Sequence, residues 1–207
     1  MKKVCIIDYG INNISSVAKA LKKINIDFEI INDSKKLSNF SHIILPGIGS
    51  FGSGMSQLIK NKFDIELKNS YKKGKNILGI CLGMQLLFEK SEETSKKIEG
   101  LRILEGNVTH MKVDKKNSVH VPQVGWNKIY PNLKNDYLLD FEDYGTDFYF
   151  IHSFVVKPKK KDIVKYLFKH GSNYPALIKK DNVLATQFHP EKSQNGLIIL
   201  KRFISQQ

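Results

Sequence analysis

Cysteine is scarce in this chain of 207 residues, which carries one at position 5 and one at position 81. The two are far apart and neither belongs to a Cys-x-x-Cys pair, which excludes a zinc module or a dithiol redox motif of that kind. Secreted domains that depend on disulfides carry more cysteines, so the low count favours a reducing compartment. Cys5 falls within the apolar run Val4–Ile7 and is predicted to be a core residue.

Long apolar runs are also missing. The run Val4–Ile7 is much shorter than the apolar part of a signal peptide, at least about 7 residues, or a membrane helix of about 20 residues. We therefore expect a soluble, cytoplasmic protein that does not contact a membrane. A chain of this length suits one domain spanning residues 1–207, which can bury roughly 70% of its unfolded surface without a metal or a disulfide.

Arginine is nearly absent although the chain is strongly basic. Arg102 and Arg202 stand alone among 33 basic residues, which outnumber 20 acidic ones and give a net charge of +13. Base readout and planar phosphate binding favour arginine, and single-strand binding needs aromatic residues interleaved with the charge. The sequence therefore argues against nucleic-acid binding, and the lysine cluster Lys157–Lys161 is interpreted as a solvated turn. An alternative is that the basic surface faces an acidic partner or attracts a phosphorylated metabolite.

Short apolar strands alternate with amphipathic helical segments in the first half of the chain. The apolar runs that predict strands are Lys3–Asp8, Phe28–Ile31 and His42–Leu45. A helix is predicted after the first run, with Asn12 or Asn13 as its N-cap. This alternation predicts an α/β fold in which a mixed, mostly parallel sheet is flanked by helices. Sites in such sheets lie beyond the carboxyl ends of the strands, so the loops after Asp8, after Leu45 and at Cys81 are the candidates.

The loop Pro46–Gly52 contains a Gly-x-Gly-x-x-Gly match. A dinucleotide site is not favoured, because the loop follows the third strand and the acidic residues Asp64 and Glu66 fall within an apparent helix. Free backbone N–H groups in such a loop can instead bind a developing oxyanion.

Cys81 stands where a buried strand, Ile77–Ile80, is predicted to meet a helix, Met84–Glu89. Gly79 and Gly83 flank it, which makes the thiol counterpart of the Gly-x-Ser-x-Gly nucleophile elbow. The start of a helix also favours the thiolate over the thiol. A lone cysteine is more often a small buried hydrophobic residue, but the two glycines and the change from strand to helix favour a nucleophile.

The second half of the chain is richer in short β-runs and predicts an antiparallel extension of the same sheet. The stretch with short β-runs begins at Leu101–Met111. The predicted strands are the aromatic run Asp147–Val156 and a hairpin-like pair, Ile163–Phe168 and Ala176–Ile178. The charged segment Glu89–Lys97 is interpreted as a helix end and loop, and Pro122–Gly125 as a turn. A final helix is predicted over Gly196–Ile204.

A histidine and a glutamate follow the apolar strand that begins at Val183. His189 and Glu191 flank Pro190, so both side chains can project to one side of the chain, and the carboxylate can orient the imidazole as a base for Cys81. The triplet alone is weak evidence. The other five histidines have no acidic neighbour at that spacing, and we expect surface or core roles for most of them.

Three motifs together resemble the class I (triad) glutamine amidotransferases. They are Pro-Gly-Ile-Gly from position 46, Gly-Ile-Cys-Leu-Gly-Met-Gln from position 79 and Gln-Phe-His-Pro-Glu-Lys-Ser from position 187. Asp-Tyr-Gly from position 8, Val-Pro-Gln-Val-Gly-Trp-Asn from position 121 and Tyr-Phe-Ile-His-Ser-Phe from position 149 narrow the resemblance to the glutaminase subunits of imidazole glycerol phosphate synthase. The resemblance implies a single-domain, flavodoxin-like fold and no metal or organic cofactor.

The resemblance also implies a role for each matching residue. Cys81 would attack L-glutamine to give a thioester and ammonia, with His189 moving the proton and Glu191 orienting it. The residues implied to bind the oxyanion through backbone N–H groups are Leu82, Ile48 and Gly49. Those implied to bind the substrate are Gly49, Gln85, Ser153 and Phe154. The backbone near Ile48 would need to flip before its N–H group points inward.

The implied partner is a (β/α)₈-barrel cyclase subunit, which would use the ammonia in histidine biosynthesis within a heterodimer. The residues implied to face it are Pro122, Gln123, Gly125, Trp126, Asn127 and Tyr149. Trp126 has the alternative interpretation of a core aromatic residue. Asn12, Gln123 and Val124 differ from the residues usual in this family, which affects the partner surface more than the thiol chemistry.

Three other functions stay open at this point. A paralogous glutaminase would feed ammonia to a different synthase, such as one that amidates a surface sugar. A hydrolase acting alone would leave the Gly-Trp-Asn segment as an unexplained apolar surface. A non-catalytic module is disfavoured because it predicts the loss of Cys81, His189 or Glu191, and all three are present.

Overall fold

The computed structural model describes residues 2–10, 13–94, 98–112, 119–132 and 147–205. These residues form a nine-stranded mixed sheet flanked by helices. Its strands are β1 (Val4–Ile7), β2 (Phe28–Ile31), β3 (His42–Leu45), β4 (Asn76–Ile80), β7 (Gln123–Pro131), β8 (Asp147–His152), β10 (Val164–His170), β11 (Ser172–Lys180) and β12 (Val183–Thr186). A three-stranded sheet beside it contains β5 (Lys90–Ser91), β6 (Gly106–His110) and β9 (Phe154–Pro158).

The order of the large sheet is β2-β1-β3-β4-β12-β11-β10-β7-β8. The first five strands in this order are parallel, and every pairing from β12 to β8 is antiparallel. This arrangement confirms the predicted mostly parallel sheet with an antiparallel extension. Because β1, β3, β4 and β12 are parallel neighbours, the loops that follow them meet at one edge.

Helices cover both faces of the parallel strands. They are α1 (Ile14–Lys23), α2 (Phe51–Lys60), α3 (Phe63–Lys72), α4 (Leu82–Leu86) and α5 (Gln194–Ser205), with 3₁₀ turns at Ser34–Asn39 and Pro190–Lys192. Along β1, Cys5 and Ile7 pack in the cluster that includes α2 and α3, while Val4 and Ile6 pack in the cluster that includes α1 and α5. Successive strand residues point to opposite faces, and burial on both faces explains why β1 is apolar throughout.

Cys5 is fully buried, as predicted, and burial raises the pKa of its thiol to about 12. The predicted hairpin is formed by β10 and β11, and the predicted last helix is α5. Among the described residues, no helix combines the length and the apolar content needed to cross a bilayer.

Three local predictions were wrong. The aromatic run Asp147–Val156, predicted as one strand, is divided at Ser153 into β8 of the large sheet and β9 of the small sheet. The segment predicted as a charged helix end and loop forms the short strand β5, which pairs with β6 through Lys90 and Asn107; residues 95–97 of that segment lie outside the described residues. The predicted turn Pro122–Gly125 runs directly into β7, because the backbone of Gln123 already pairs with His152 of β8. In the last two of these segments, pairing with a strand distant in sequence outweighed the local turn signal.

Candidate active site

Cys81 occupies a tight junction between β4 and α4. Its backbone has φ 53° and ψ −108°, a conformation that is uncommon for a residue with a side chain. The junction is held by a hydrogen bond of 2.7 Å from the Cys81 N–H group to the carbonyl of Thr186, at the end of β12. The thiol is thus fixed at the carboxyl edge of the sheet, as the elbow pattern predicted.

The flanking glycines are required by close backbone approaches. A Cβ atom on Gly83 would lie 1.9 Å from the carbonyl oxygen of Leu45, and one on Gly79 would lie 2.9 Å from that of Gly83. A side chain at either position would therefore collide with neighbouring backbone, which explains why glycine stands on both sides of Cys81.

Gly83→Ala is therefore expected to reduce the free energy of unfolding by at least about 3 kcal/mol, because β3 and α4 must separate to admit the methyl group. The matched control is Gly52→Ala in α2, where the nearest atom to the new Cβ is Ile98 Cδ1 at 3.5 Å, an ordinary contact. The control should change stability by no more than about 1 kcal/mol. Urea unfolding of both variants measures the difference, and equal midpoints would contradict the crowded elbow.

His189 and Glu191 lie beside this junction. The N–H group of His189 donates to the carbonyl of Tyr149 at 3.0 Å, and the 3₁₀ turn that begins at Pro190 brings Glu191 back to the imidazole. His189 Nδ1 lies 2.8 Å from Glu191 Oε1, and both side chains are buried. Among the described residues, the other ring nitrogen of His189, Nε2, has no hydrogen-bond partner and is the one left for the thiol. The structure thus brings together the three residues predicted as catalytic, while their role stays a prediction.

The histidine and the glutamate favour each other's charged form. Burial by itself would lower the pKa of His189, but interactions with Cys81 and Glu191 outweigh it and raise the pKa to about 10. Burial would raise the pKa of Glu191, but the hydrogen bond and charge of His189 and a hydrogen bond from Asn13 lower it. The stability contributed by His189 is therefore complete below about pH 6.5 and is lost as pH rises through about 10. The stability contributed by Glu191 is complete above the usual pKa of a glutamate and is lost as pH falls through the lowered pKa of this carboxyl group.

Asn13 was not predicted in this site. It precedes α1 but makes no capping hydrogen bond with its side chain. Instead its Nδ2 donates to Glu191 Oε1 at 2.8 Å and lies 3.3 Å from His189 Nδ1. The predicted cap is therefore wrong for Asn13, because the side chain turns towards the buried carboxylate; Asn12 lies outside the described residues. The available signal was the position of Asn13 in the loop after β1, at the edge where the strand ends meet.

A cavity of about 310 Å³ opens above the thiol. Its lining contains the predicted residues Ile48, Gly49, Cys81, Leu82, Gln85, Ser153 and Phe154, together with Glu93, Pro122, Ile151 and His152. Gln85 is anchored by a hydrogen bond of 3.0 Å from its Nε2 to the carbonyl of Phe154. The structure therefore brings all the predicted substrate residues to one cavity.

Glu93 and His152 are additional polar residues of the cavity. Glu93 Oε2 accepts a hydrogen bond of 2.6 Å from the N–H group of Phe51, which fixes the carboxylate at the start of α2. Burial lowers the pKa of His152 to about 3, so this imidazole is neutral at pH 7. No group of three or more potential metal-binding side chains occurs among the described residues. The cavity thus combines one carboxylate, a neutral imidazole and a thiol.

The backbone groups predicted to bind an oxyanion are not all free. The N–H group of Leu82 donates to the carbonyl of Gly47 at 3.3 Å. Tyr9 holds the same loop, because its hydroxyl donates to the carbonyl of Pro46 at 2.8 Å. Ile48 and Gly49 are exposed, and Gly49 has φ 98°. An oxyanion could use the N–H group of Leu82 only after this loop changes its conformation.

Of the residues predicted to face a partner, Pro122 also lines the cavity. Trp126 is 56% exposed and its ring stands edge-on to Tyr149, with 5.6 Å between the ring centroids. Its exposure excludes the core alternative for Trp126. Pro122 is exposed, and Gly125 and Asn127 are partly exposed. Gln123 differs from them: at 5% exposure its side chain is buried within this chain, and its contact with a partner stays a prediction.

A cysteine elbow with a His–Glu pair, on a sheet of this order, defines a class I glutamine amidotransferase. The family model described as glutamine amidotransferase class-I matches residues 5–205. Similar solved folds include a glutamine amidotransferase, with a TM-score of 0.75 and 16% identity over 98% of this chain and 99% of that one. PurLQS from Thermotoga maritima has a TM-score of 0.74 and 18% identity over 98% and 97% of the two chains.

Curated relatives make the assignment more specific. An imidazole glycerol phosphate synthase subunit HisH from Caldanaerobacter subterraneus is 46% identical over 96% of this chain and 95% of its own length. The HisH subunit from Prochlorococcus marinus subsp. pastoris is 39% identical over 99% and 98% of the two chains. The chain therefore belongs to the class I glutamine amidotransferase family and, within it, to the HisH subunits. This finding confirms the predicted family and fold class.

Proposed function

We propose that the chain is the glutaminase subunit of imidazole glycerol phosphate synthase. The observation that carries the proposal is the elbow at Cys81, which has the buried His189–Glu191 pair beside it and a cavity above it. The identity to HisH subunits supports the choice of pathway. The subunit would release ammonia from glutamine and pass it to a partner subunit that makes imidazole glycerol phosphate and an aminoimidazole carboxamide ribotide.

The proposed reaction has two halves. The Cys81 thiolate attacks the side-chain amide carbon of glutamine, and His189 gives a proton to the departing nitrogen, which leaves as ammonia. The γ-glutamyl thioester is then attacked by water, whose proton goes to His189 while glutamate leaves and the thiolate returns. Glu191 keeps the imidazole oriented throughout, and Asn13 holds Glu191 in place.

The cavity lining suits an amino acid with a terminal amide. Gly49, Gln85, Ser153 and Phe154 would hold the α-amino and carboxylate groups through backbone and amide contacts. The carboxylate of Glu93 adds a negative charge to the same cavity and suits the α-ammonium group of the substrate. The distance from this carboxylate to the thiol side of the cavity would then select the length of the substrate.

The proposed partner is a (β/α)₈-barrel cyclase, bound as a heterodimer in the cytoplasm. Val124, Trp126 and Ile151 are 59%, 56% and 44% exposed and lie on the two paired strands β7 and β8, next to the cavity. A contiguous apolar surface of this kind marks an interaction site. We propose that Pro122, Gly125, Trp126, Asn127 and Tyr149 contact the partner, and that residues 1–207 act as one domain.

The direct test is to mix the purified chain with the cyclase subunit, its nucleotide substrate and glutamine, and to follow both products. We expect one imidazole glycerol phosphate to form for each glutamine consumed. Glutamine consumption without this product would instead support the paralogue that feeds another synthase. Deletion of the gene separates the two further, because a histidine requirement is expected only for the proposed function.

A further inference from the structure

Gln187 is a fully buried residue that the proposed reaction does not yet use. It follows β12, and its backbone N–H group donates to the carbonyl of Ala176 at 2.9 Å. The preceding residue, Thr186, accepts the hydrogen bond from the N–H group of Cys81. These two backbone contacts fix the Gln187 side chain beside the nucleophile.

Both ends of the Gln187 carboxamide have a partner. Its Nε2 lies 3.8 Å from Cys81 Sγ and donates towards the sulfur. Its Oε1 accepts from Gln85 Nε2 at 3.2 Å, and the same Nε2 donates to the carbonyl of Phe154 at 3.0 Å. A continuous series of hydrogen bonds thus joins the wall of the cavity to the thiol through two side-chain amides.

The chemistry of this position needs a donor and an acceptor on one short group. A carboxylate would keep the acceptor for Gln85 but would present a negative group to the sulfur. An apolar side chain of the same length would leave the Gln85 amide without one of its partners. A buried hydrogen bond is strongest when its acceptor carries a full charge, and the nucleophilic form of Cys81 is the charged thiolate.

We propose that Gln187 donates a hydrogen bond to the Cys81 thiolate and, through its hydrogen bond with Gln85, fixes the position of the sulfur relative to the substrate cavity. This inference rests on the proposed function, because it assigns a partner to the same nucleophile. Gln187 stays neutral and transfers no proton. The thiol proton goes to His189, and the carboxamide stabilises the charge left on the sulfur until the carbon–sulfur bond forms.

Alkylation by iodoacetamide tests the contact with the sulfur without glutamine turnover. In this reaction the thiolate displaces iodide and forms a carbon–sulfur bond, so its rate reports the reactive thiolate. Gln187→Met in the full chain, alone and with its partner subunit, is expected to slow alkylation of Cys81 about tenfold at pH 7 and to move the half-maximal pH up by about one unit. Gln187→Glu should slow it at least as much. Mass spectrometry identifies the modified cysteine, with Cys81→Ala as the blank.

Thr186→Val is the matched control. It removes another buried hydrogen bond next to Gln187, the one of 3.0 Å from Thr186 Oγ1 to the carbonyl of Phe188, without touching the sulfur. Its alkylation rate should stay within about twofold of the wild type even if its stability falls. Urea unfolding of each variant separates a loss of folding from a loss of reactivity.

The outcomes are distinct. Slow alkylation of folded Gln187→Met and Gln187→Glu, with Thr186→Val unchanged, supports the proposal. Wild-type alkylation of both variants across the pH range overturns it, and so does an increase in the glutamine KM with unchanged kcat and unchanged alkylation, since Gln187 would then act only on Gln85. Ammonia release that survives Cys81→Ala would instead refute the proposed function.

Discussion

Replacing Cys81 by alanine is expected to lower ammonia release from glutamine by at least about 10⁴-fold, because loss of a covalent nucleophile removes the whole reaction path. The thiol is the group that faces the cavity at the strained junction, and His189 has its other nitrogen engaged by Glu191. The assay is ammonia release measured with the partner subunit present, so that the wild-type rate is high enough to define the loss.

The control for this variant is Cys5→Ala, which removes the other thiol of the chain. Cys5 is fully buried in β1 and its pKa is raised to about 12, so it has no reactive thiolate at neutral pH. Cys5→Ala should lose some stability but keep the rate within about twofold, since Cys5 is a core residue outside the cavity lining. Comparable losses in both variants would mean that the effect is structural, and the assignment of Cys81 as the nucleophile would fail.

The residues that sequence analysis identified at this site carry local signals. Gly79, Cys81 and Gly83 follow one another at intervals of two residues, and His189 and Glu191 also lie two residues apart. Such short patterns describe geometry that the chain builds within a few residues, so they can be interpreted without knowledge of the fold. The order of strands and helices in the first half was predictable for the same reason.

Asn13 and Gln187 were missed because their contacts span the chain. Asn13 reaches Glu191 across 178 positions of sequence, and Gln187 reaches Cys81 across 106. An uncharged amide side chain is not identified as a site residue by its type alone. The role of its donor and acceptor depends on the groups that the fold places beside it. Asn13 also had a plausible local role as a helix cap, which the structure does not use.

The burial of Gln123 was missed for a different reason. The segment was interpreted as a turn, in which every side chain could face outward. In a strand, successive side chains point to opposite faces, so Val124 and Trp126 face outward while Gln123 points inward. Recognition of the strand would therefore have given the correct burial of all three.

The partner subunit, with its nucleotide ligand bound, is expected to increase the glutaminase rate by about 100- to 1,000-fold, the usual effect of one oxyanion donor. In the chain by itself, the N–H group of Leu82 is occupied by the carbonyl of Gly47. The loop that carries this carbonyl continues into the exposed residues Ile48 and Gly49, which line the same cavity as Ile151 of the apolar surface formed by Val124, Trp126 and Ile151. The free energy of partner binding at this surface can therefore offset the cost of the change in loop conformation that frees the Leu82 N–H group.

Trp126→Ala tests this coupling with Ile65→Ala as its control. The two side chains have nearly equal exposure, 56% and 55%, but Ile65 lies on α3, away from the cavity lining. Trp126→Ala should lower the partner-stimulated rate at a fixed, subsaturating concentration of partner by at least about tenfold, because a buried interface aromatic is commonly worth about 2 kcal/mol or more. Ile65→Ala should behave as the wild type. If the chain alone already turns over glutamine at the stimulated rate, the hydrogen bond between Leu82 and Gly47 does not limit the reaction, and the oxyanion must be stabilised by other groups.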